Sequence, residues 1–412
     1  KGVYLDVNEM KEPNPVHLAQ AMCYAWFYVS EHNLPEAAVQ MTYCSLETEE
    51  IRRFKTVKTA QELEGWFQGL LHEYMKWARY LYHNAVRRDE SLRELQFPFA
   101  YRNGQRDLAV SVYRTVSRGR KLFIQAPTGI GKTLSAMFPS LKAIGEGYGD
   151  KLFYLTAKTI TRSVAEETLE ILRNRGLYFR SVTITAKEKL CFLEKPECNP
   201  DACPHAKGHF DRVNDAVYTA VHQEFGITRE MILSYAEQFQ VCPFELCLDI
   251  SSFVDGIICD YNYVFDPDVR LKRYFSESLR GDYIFLIDEA HNLAGRAREM
   301  YSASIIKEDF LEIKKLIKET SPRLTRYLNR VNQLLLEMKR ECEGIEILSD
   351  VGPLVMALSS AFSELEKFLD QYREFKDREA ALELYFSVRS FLSIYERTDE
   401  HYRIYSRLLE NG

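Results

Sequence analysis

The stretch APTGIGKT, Ala126–Thr133, places two glycines, a lysine and a threonine directly after an apolar run. It matches the phosphate-loop pattern G-x-x-x-x-G-K-[ST], except that alanine takes the first glycine position. In such a loop, backbone N–H groups surround the phosphate oxygens, the lysine adds a positive charge and the threonine hydroxyl binds Mg²⁺. The residues predicted to bind the nucleotide are Thr128, Gly129, Ile130, Gly131, Lys132 and Thr133.

A second stretch, YIFLIDEAH at Tyr283–His291, is an apolar strand pattern that ends in two acids. Phosphate-loop ATPases need a carboxylate at a strand end to hold Mg²⁺ and a residue beside it to orient the attacking water. We assign the first role to Asp288, together with Thr133, and the second to Glu289. Either motif alone could be an ordinary turn or strand cap, but together they predict an ATPase that uses ATP and Mg²⁺.

Between these motifs lies a cysteine-rich stretch, Cys191 to Cys247, that has neither helical nor strand periodicity. Nine cysteines in a chain without an export signal are typical of thiols or metal ligands rather than disulfides. The stretch contains Cys191, Cys198, Cys203 and Cys242, and thiolates at such spacing can hold an iron–sulfur cluster or a zinc ion. Cys247 competes for the fourth position, and in a zinc site His205 or His209 could replace a thiolate. A third interpretation buries the cysteines as small hydrophobic residues.

The elements that must position these motifs change in character along the chain. From about residue 97, five short apolar runs alternate with helical patterns: KLFIQA, KLFYLTA, SVTITA, GIICD and YIFLIDE. Strands separated by helices predict an α/β fold with a parallel sheet. Before that point we predict a helix over 13–33, a hairpin over 37–58 and a long helix to about residue 95. This long helix begins at Thr59, with Glu62 completing a capping box. Residues after 306 have helical spacing.

The composition is that of a globular protein with several domains, with 412 residues, 46% of them hydrophobic and 28% charged. The net charge of −6 gives no global basic signature, although local patches can still bind nucleic acid. The longest apolar runs, such as Ala21–Val29, fall short of the ~20 residues that a membrane span needs. We expect a cytoplasmic protein without a membrane partner. Because the sequence begins without Met, we also expect a fragment or processed chain.

Together, APTGIGKT and DEAH resemble the helicases of superfamily two, and the cysteines between them are similar to those of the iron–sulfur helicases typified by XPD and DinG. The resemblance covers residues ~97 to 412. It implies a RecA-like motor domain at 96–188 and 251–306, an iron–sulfur domain at 189–250 and an all-helical arch domain at 307–412. The implied ligands of a [4Fe-4S] cluster are Cys191, Cys198, Cys203 and Cys242. We prefer Cys242 to Cys247 because Cys-Pro-Phe looks like the Cys-Pro-aromatic of the family.

The same resemblance implies contacts to adenine from FPFAYRNGQRDLA, namely Arg102 and Gln105. In LTAKTITR it implies contacts to DNA phosphates from Lys158, Thr159 and Arg162. Exposed loop residues are the alternative interpretation for each.

The DEAH box and the segment DYNYVFDP carry the remaining roles that the resemblance implies. His291 would couple the γ-phosphate to the DNA path, as a fourth catalytic residue beside Lys132, Asp288 and Glu289. Tyr261 and Tyr263 could stack on bases or lie in the core.

Residues 1–95 do not fit a helicase motor. Gln20 and Tyr24 share a Q-x-x-x-Y spacing on one predicted helix, which resembles the last motif of RecB-type nucleases of the PD-(D/E)xK group. Lys1 could be the lysine of the E-x-K motif in that group, although an amphipathic helix also produces Q-x-x-x-Y by chance. We therefore assign 1–95 to the C-terminal part of a RecB-like nuclease domain. Because no complete two-carboxylate metal site is present, we expect this chain by itself not to cut DNA.

These observations predict the N-terminal portion of an ATP-dependent DNA helicase, a monomer that moves 5′-to-3′ along single-stranded DNA, the polarity being implied by the family. A second RecA-like domain is expected in the rest of the same polypeptide, so this portion alone should hydrolyse ATP poorly. The alternatives are a nucleotide switch that never translocates and a nuclease that uses this region as a DNA-binding platform.

Overall fold

The computed structural model describes residues 1–4, 6–127, 129–157, 159–276 and 278–409, and for Thr159 the backbone alone. Its strands are β1 (Gly2–Val3), β2 (Glu36–Ser45), β3 (Ile51–Thr59), β4 (Lys151–Leu155), β5 (Ser181–Thr183), β6 (Gly226–Ile227), β7 (Gly256–Cys259), β8 (Tyr283–Ile287), β9 (Ile345–Ile347) and β10 (Tyr405–Arg407). The helices of the first half are α1 (Pro15–His32), α2 (Ala60–Glu94), α3 (Gln105–Ser117), α4 (Lys132–Gly145), α5 (Thr159–Arg173) and α6 (Lys187–Leu190). Those of the second half are α7 (His209–Gln223), α8 (Arg229–Phe239), α9 (Pro243–Ser251), α10 (Asn262–Phe265), α11 (Lys272–Phe275), α12 (Leu293–Met300), α13 (Lys307–Ile317), α14 (Pro322–Glu341), α15 (Gly352–Gln371) and α16 (Arg378–Tyr395).

The N-terminal unit is a three-stranded sheet with α1 packed on β2. Strand β1 runs parallel to β2, and β2 runs antiparallel to β3. The Asn14 side chain caps α1 by accepting from two backbone N–H groups, and Thr59 with Glu62 forms the predicted capping box at the start of α2. The predicted helix, hairpin and long helix are all confirmed.

The second half of α2 packs on the sheet that carries the predicted nucleotide site. Tyr80 lies in the main core of that region and its hydroxyl donates to the Phe253 carbonyl at 3.1 Å. Leu92 and Leu95 pack in the core beneath α4. The helix therefore contacts the sheet before the predicted domain boundary at residue 95, and that boundary remains a prediction.

A five-stranded parallel sheet, in the order β6-β5-β7-β4-β8, forms the centre of the chain. Side chains alternate across it: Phe153 and Leu155 of β4 enter the main core, whereas Leu152 and Tyr154 face the core beneath α4 and α5. Both faces are covered, as the near-continuous apolar runs predicted. This confirms the α/β fold with a parallel sheet.

The segment KLFIQA, residues 121–126, differs from its prediction because it forms no strand. Its apolar side chains are exposed, 89% in the case of Phe123. A strand depends on hydrogen bonds from a neighbouring strand, and in the described part of the chain this segment pairs with none. Strand β8 is consequently the edge strand, bonded to β4 alone among the described residues.

Helices α13–α16 pack around a separate core that includes Phe310, Leu328, Leu358 and Leu384. The structure adds an antiparallel pair of strands, β9 and β10, to the helices that the sequence predicted here. Three-residue strands are too short to give an alternating pattern. Across the described ranges, no helix has the length and apolar character that a membrane crossing requires.

Candidate nucleotide-binding site

The glycine-rich loop ends where α4 begins, at Lys132. Gly129 and Gly131 have φ values of 85° and 81°, which glycine adopts without strain. A Cβ at Gly131 would also lie 2.7 Å from the Nε2 atom of Gln105, so the loop fits closely against α3. The N–H groups at the start of α4 can bind a phosphate group. The predicted contact Thr128 lies outside the described residues.

Arg102 and Gln105 hold the backbone of this loop. The Arg102 guanidinium donates to the Gly129 carbonyl, and the Gln105 amide donates to the Ile130 carbonyl. Gln105 also accepts from the Arg102 N–H at 2.8 Å, and only 4% of its surface is exposed. Lys132 Nζ turns back to the Ala126 carbonyl at 3.3 Å. Both predicted adenine contacts thus lie at the loop, while contact with adenine itself remains a prediction.

The two acids follow the end of β8. The Asp288 N–H donates to the Leu155 carbonyl at 2.9 Å, which continues the pairing of β8 with β4. Glu289 is left-handed, with φ 49° and ψ 43°, and its N–H donates to Asp288 Oδ1 at 3.1 Å. A 3₁₀ turn, Ala290–Asn292, follows and places His291 Nδ1 3.3 Å from Glu289 Oε2. The Glu289 and His291 side chains therefore lie next to each other beyond the end of β8.

The loop and the acids meet at one buried side chain, Tyr154 of β4. Its hydroxyl interacts with the side chains of Thr133, in the first turn of α4, and Asp288. Burial and the neighbouring Asp288 carboxylate raise the pKa of Tyr154. The two predicted magnesium ligands are therefore both neighbours of the Tyr154 hydroxyl. Tyr154 is not among the site residues predicted from the sequence, although strand alternation places it on the opposite face of β4 from Phe153, and that face packs beneath α4.

Of the predicted DNA contacts, Lys158 and the Thr159 side chain lie outside the described part. Arg162 lies on α5, with its guanidinium 3.9 Å from the Asp260 carboxylate. Tyr261 and Tyr263 are 0% and 8% exposed. Of the two interpretations left open for these tyrosines, the core position is the observed one.

The cysteine-rich segment carries its thiols in loops and at helix ends. Cys191, Cys203 and Cys242 are half-buried, and Cys198 is exposed. Lys187 interacts with both Cys198 and Cys242, and the hydrogen bond to Cys198 raises the pKa of Lys187. No three histidine, cysteine or acidic side chains of the described ranges are gathered into a metal-binding group. The four thiols thus share a region without forming a closed ligand set.

Cys247 differs from these four because it is fully buried in the main core. Its Sγ lies 3.7 Å from the Thr183 carbonyl, and burial raises the pKa of its thiol to about 12. His209 Nδ1 accepts from the Cys242 N–H at 3.2 Å. The other nitrogen of that ring, Nε2, and the Nδ1 atom of His205 are buried without a hydrogen-bond partner in the described part of the chain. Two orphaned polar atoms therefore lie in the same segment as the thiols.

At the N-terminal unit, Lys1 Nζ donates to Gln20 Oε1 at 3.4 Å, and Gln20 Nε2 donates to the Tyr24 hydroxyl at 3.3 Å. The structure thus brings together the three residues that suggested a RecB-type nuclease.

Two protein-family models match the chain. The model described as DEAD/DEAH box helicase matches residues 106–194, and the model described as DEAD_2 matches residues 169–310. The combined range includes the glycine-rich loop, the cysteine-rich segment and the two acids.

Curated proteins with similar sequences include helicases. The general transcription and DNA repair factor IIH helicase subunit XPD/RAD3 of Saccharomyces cerevisiae is 23% identical over 289 residues, covering 61% of this chain and 35% of that protein. A regulator of telomere elongation helicase 1 homolog of Caenorhabditis elegans is 24% identical over 256 residues, covering 51% of this chain and 25% of that protein. The chain therefore spans about a third or less of the length of these relatives.

Among solved structures, an XPD helicase aligns with 72% of this chain and 51% of its own, with a TM-score of 0.47 and 20% identity. A truncated XPD aligns with 70% of this chain and 81% of its own, with a TM-score of 0.47 and 19% identity.

Proposed function

Because residues 106–310 are related to the XPD-like helicases of superfamily two, we propose that the complete protein is an ATP-dependent DNA helicase. The observation that carries the proposal is the meeting of Thr133 and Asp288 at the Tyr154 hydroxyl. A phosphate loop and a strand-end carboxylate must share one magnesium ion in order to hydrolyse ATP. If the two motifs had opened onto different surfaces, they could not have shared one magnesium ion, and ATP hydrolysis by this site would have been excluded.

In the proposed reaction, the glycine-rich loop and the start of α4 bind the phosphates through backbone N–H groups. Lys132 would leave the Ala126 carbonyl to place its charge on the phosphates, while Thr133 and Asp288 would hold Mg²⁺. The bound ion would neutralise the charge that develops during phosphoryl transfer.

Glu289 is the proposed group that orients water and accepts its proton. Its carboxylate is 40% exposed and therefore accessible to solvent. His291, 3.3 Å away, would hold the orientation of that carboxylate and respond to occupation of the site. Both side chains depend on the left-handed backbone at Glu289, which turns the chain sharply after β8.

We further propose that hydrolysis drives translocation along single-stranded DNA in the 5′-to-3′ direction, with a second RecA-like domain of the same polypeptide completing the motor. Arg162 would contact a DNA phosphate from the first turn of α5, together with Lys158 and Thr159.

The cysteine-rich segment supports a [4Fe-4S] cluster by its donor chemistry. Cys191, Cys198, Cys203 and Cys242 would hold it, because all four lie outside the main core and two share Lys187 as a neighbour. His205 Nδ1 and His209 Nε2, buried without a hydrogen-bond partner among the described residues, lie in the same segment as these thiols. A bound cluster would cross-link the loops that carry these thiols.

The test is ATP hydrolysis by the full-length protein with and without a single-stranded oligonucleotide. We expect stimulation by DNA, and unwinding of a duplex with a 5′ tail but not a 3′ tail. Lys132→Ala should lower kcat by about 10²–10³, a loss typical of a group that stabilises transition-state charge. The matched control is Lys121→Ala, which removes an exposed lysine at the start of the segment that leads to the loop. Hydrolysis that DNA does not stimulate would contradict the motor and favour a nucleotide switch.

A second candidate activity, DNA cleavage by the N-terminal unit, is favoured by the Lys1–Gln20–Tyr24 contacts. Cleavage by the full-length protein that requires Mg²⁺ or Mn²⁺, persists in Lys132→Ala and is lost in Gln20→Ala would support it. Cleavage lost in Lys132→Ala would contradict an independent nuclease.

A further inference from the structure

We propose that Tyr261 is a positioning residue for the carboxylate turn at Asp288 and Glu289. Its hydroxyl donates to the backbone carbonyls of both residues, to Glu289 at 3.3 Å and more closely to Asp288. The inference rests on the proposed function of that turn in ATP hydrolysis. Tyr261 touches neither substrate nor metal in this arrangement, so its effect passes through the backbone.

The turn needs support for two reasons. A non-glycine residue in the left-handed region, such as Glu289 with φ 49°, carries backbone strain that its surroundings must offset. The turn also follows an edge strand, since β8 pairs with β4 alone among the described strands. A strand held on one side leaves its end free to shift towards the open edge. A displacement at Asp288 would separate it from Thr133.

Tyr261 reaches this turn from two strands away. It follows the end of β7, and β4 lies between β7 and β8, so its ring crosses the carboxyl end of β4. The side chain is 0% exposed, which fixes the ring by packing. A tyrosine hydroxyl keeps its proton at neutral pH and is therefore available as a donor.

The neighbours of Tyr261 are fixed as well. The Asp260 carboxylate lies between two arginines, 3.9 Å from Arg162 on α5 and 3.6 Å from Arg296 on α12. Arg296 also donates to Asn262 Oδ1 at 2.9 Å. Helix α12 follows the carboxylate turn closely in the chain. Residues 260–262 therefore contact the turn itself, through Tyr261, and the helix after it, through Arg296.

The test compares Tyr261→Phe with Tyr263→Phe. Tyr263 is the matched control because it is buried, lies two residues away and donates to a backbone carbonyl, that of Thr185 at 3.4 Å, remote from the acids. Each change removes one buried hydroxyl. In full-length protein we expect Tyr261→Phe to lower kcat for ATP hydrolysis about tenfold, the equivalent of one hydrogen bond, with KM for ATP changed less than twofold. Tyr263→Phe should retain both values.

A second measurement separates this inference from the proposed function. Hydrogen exchange of the backbone amides of 288–292 should accelerate in Tyr261→Phe and not in Tyr263→Phe, whether or not the protein hydrolyses ATP. Equal exchange rates in the two variants would overturn the positioning role. Absence of ATP hydrolysis in the wild-type protein would instead contradict the proposed function and leave the exchange result to decide the role of Tyr261.

Discussion

The side-chain amide of Asn84, on α2, donates a 3.0 Å hydrogen bond to the carboxylate of Asp255, the residue before β7. Asp255 Oδ2 accepts from the Arg180 N–H at 2.9 Å, and the Arg88 guanidinium lies 3.4 Å from Oδ1, the oxygen that Asn84 contacts. Asn84, Arg180 and Asp255 are each at most 5% exposed. The long N-terminal helix is thus tied to the amino end of the sheet, opposite the nucleotide loop.

This network predicts a large stability effect from Asp255→Ala. The change removes the acceptor of the buried Asn84 amide and of the buried Arg180 N–H, together with the carboxylate 3.4 Å from Arg88, which costs about 3–5 kcal/mol in the free energy of unfolding. Asp255→Asn keeps an amide oxygen for part of the network and should cost less. Denaturant unfolding of the two variants measures the difference, and a loss below about 1 kcal/mol for Asp255→Ala would show that the network relaxes around the gap.

Because of the buried Lys151, at the start of β4, we predict that the free energy of unfolding depends on pH. Its Nζ donates to the Ser251 and Val254 carbonyls at 2.7 and 2.6 Å, and burial lowers its pKa from 10.5 to about 8. Between these values the unfolded chain retains a proton that the folded chain has released, so stability rises with pH in this window. Below about pH 8 both states are protonated and the contribution is constant.

The measurement is the free energy of unfolding of wild type minus that of Lys151→Met, from pH 6.5 to 10. We expect a flat difference up to about pH 8, and then a rise of up to about 1.4 kcal/mol per pH unit in favour of the wild type. A difference that falls above pH 8 would contradict the direction of the pKa shift.

The sequence predicted most of the fold because its signals are local. Apolar runs such as GIICD gave the strands, and Thr59 with Glu62 gave the start of α2. The strand predicted for KLFIQA does not form, because a strand also requires a neighbouring strand to pair with. The residues of the segment do not encode that partner. The motifs predicted the positions of the glycine-rich loop before α4 and of the two acids after β8, while their roles in binding nucleotide remain predictions. Tyr154 was not predicted, and for Tyr261 the sequence predicted only base stacking or a core position, because the contacts of both hydroxyls join segments that lie far apart in the chain.

The loop geometry predicts that Gly131→Ala weakens nucleotide binding more than Gly129→Ala. Both positions have positive φ, which strains any other residue, but only at Gly131 would a Cβ also meet Gln105, at 2.7 Å. The displaced Gln105 would lose its hold on the Ile130 carbonyl. We expect a Kd for ADP raised about fivefold or more in Gly131→Ala, from at least about 1 kcal/mol of strain.

The control for the loop variants is Gly65→Ala in α2, where a Cβ would meet no atom within 4 Å. This helix-interior change should raise stability by up to about 1 kcal/mol and leave the Kd for ADP unchanged. Isothermal titration gives each Kd. Equal affinities for Gly129→Ala and Gly131→Ala would show that the contact with Gln105 does not shape the loop.

The cysteines predict different effects of two neighbouring substitutions. Cys242→Ala should abolish iron binding, because its half-buried thiol lies with Cys198 beside Lys187. Cys247→Ala should retain about four iron atoms per chain, as a [4Fe-4S] cluster requires, because its thiol is sealed in the core and its pKa is raised to about 12. Iron and sulfide assays with the visible absorption spectrum measure both variants. If Cys247→Ala lost iron and Cys242→Ala retained it, the fourth ligand would be Cys247 and not Cys242. A colourless protein that binds zinc would contradict the iron–sulfur cluster and indicate a zinc site. His209 would then be a candidate ligand through its Nε2 atom, which is buried without a partner among the described residues.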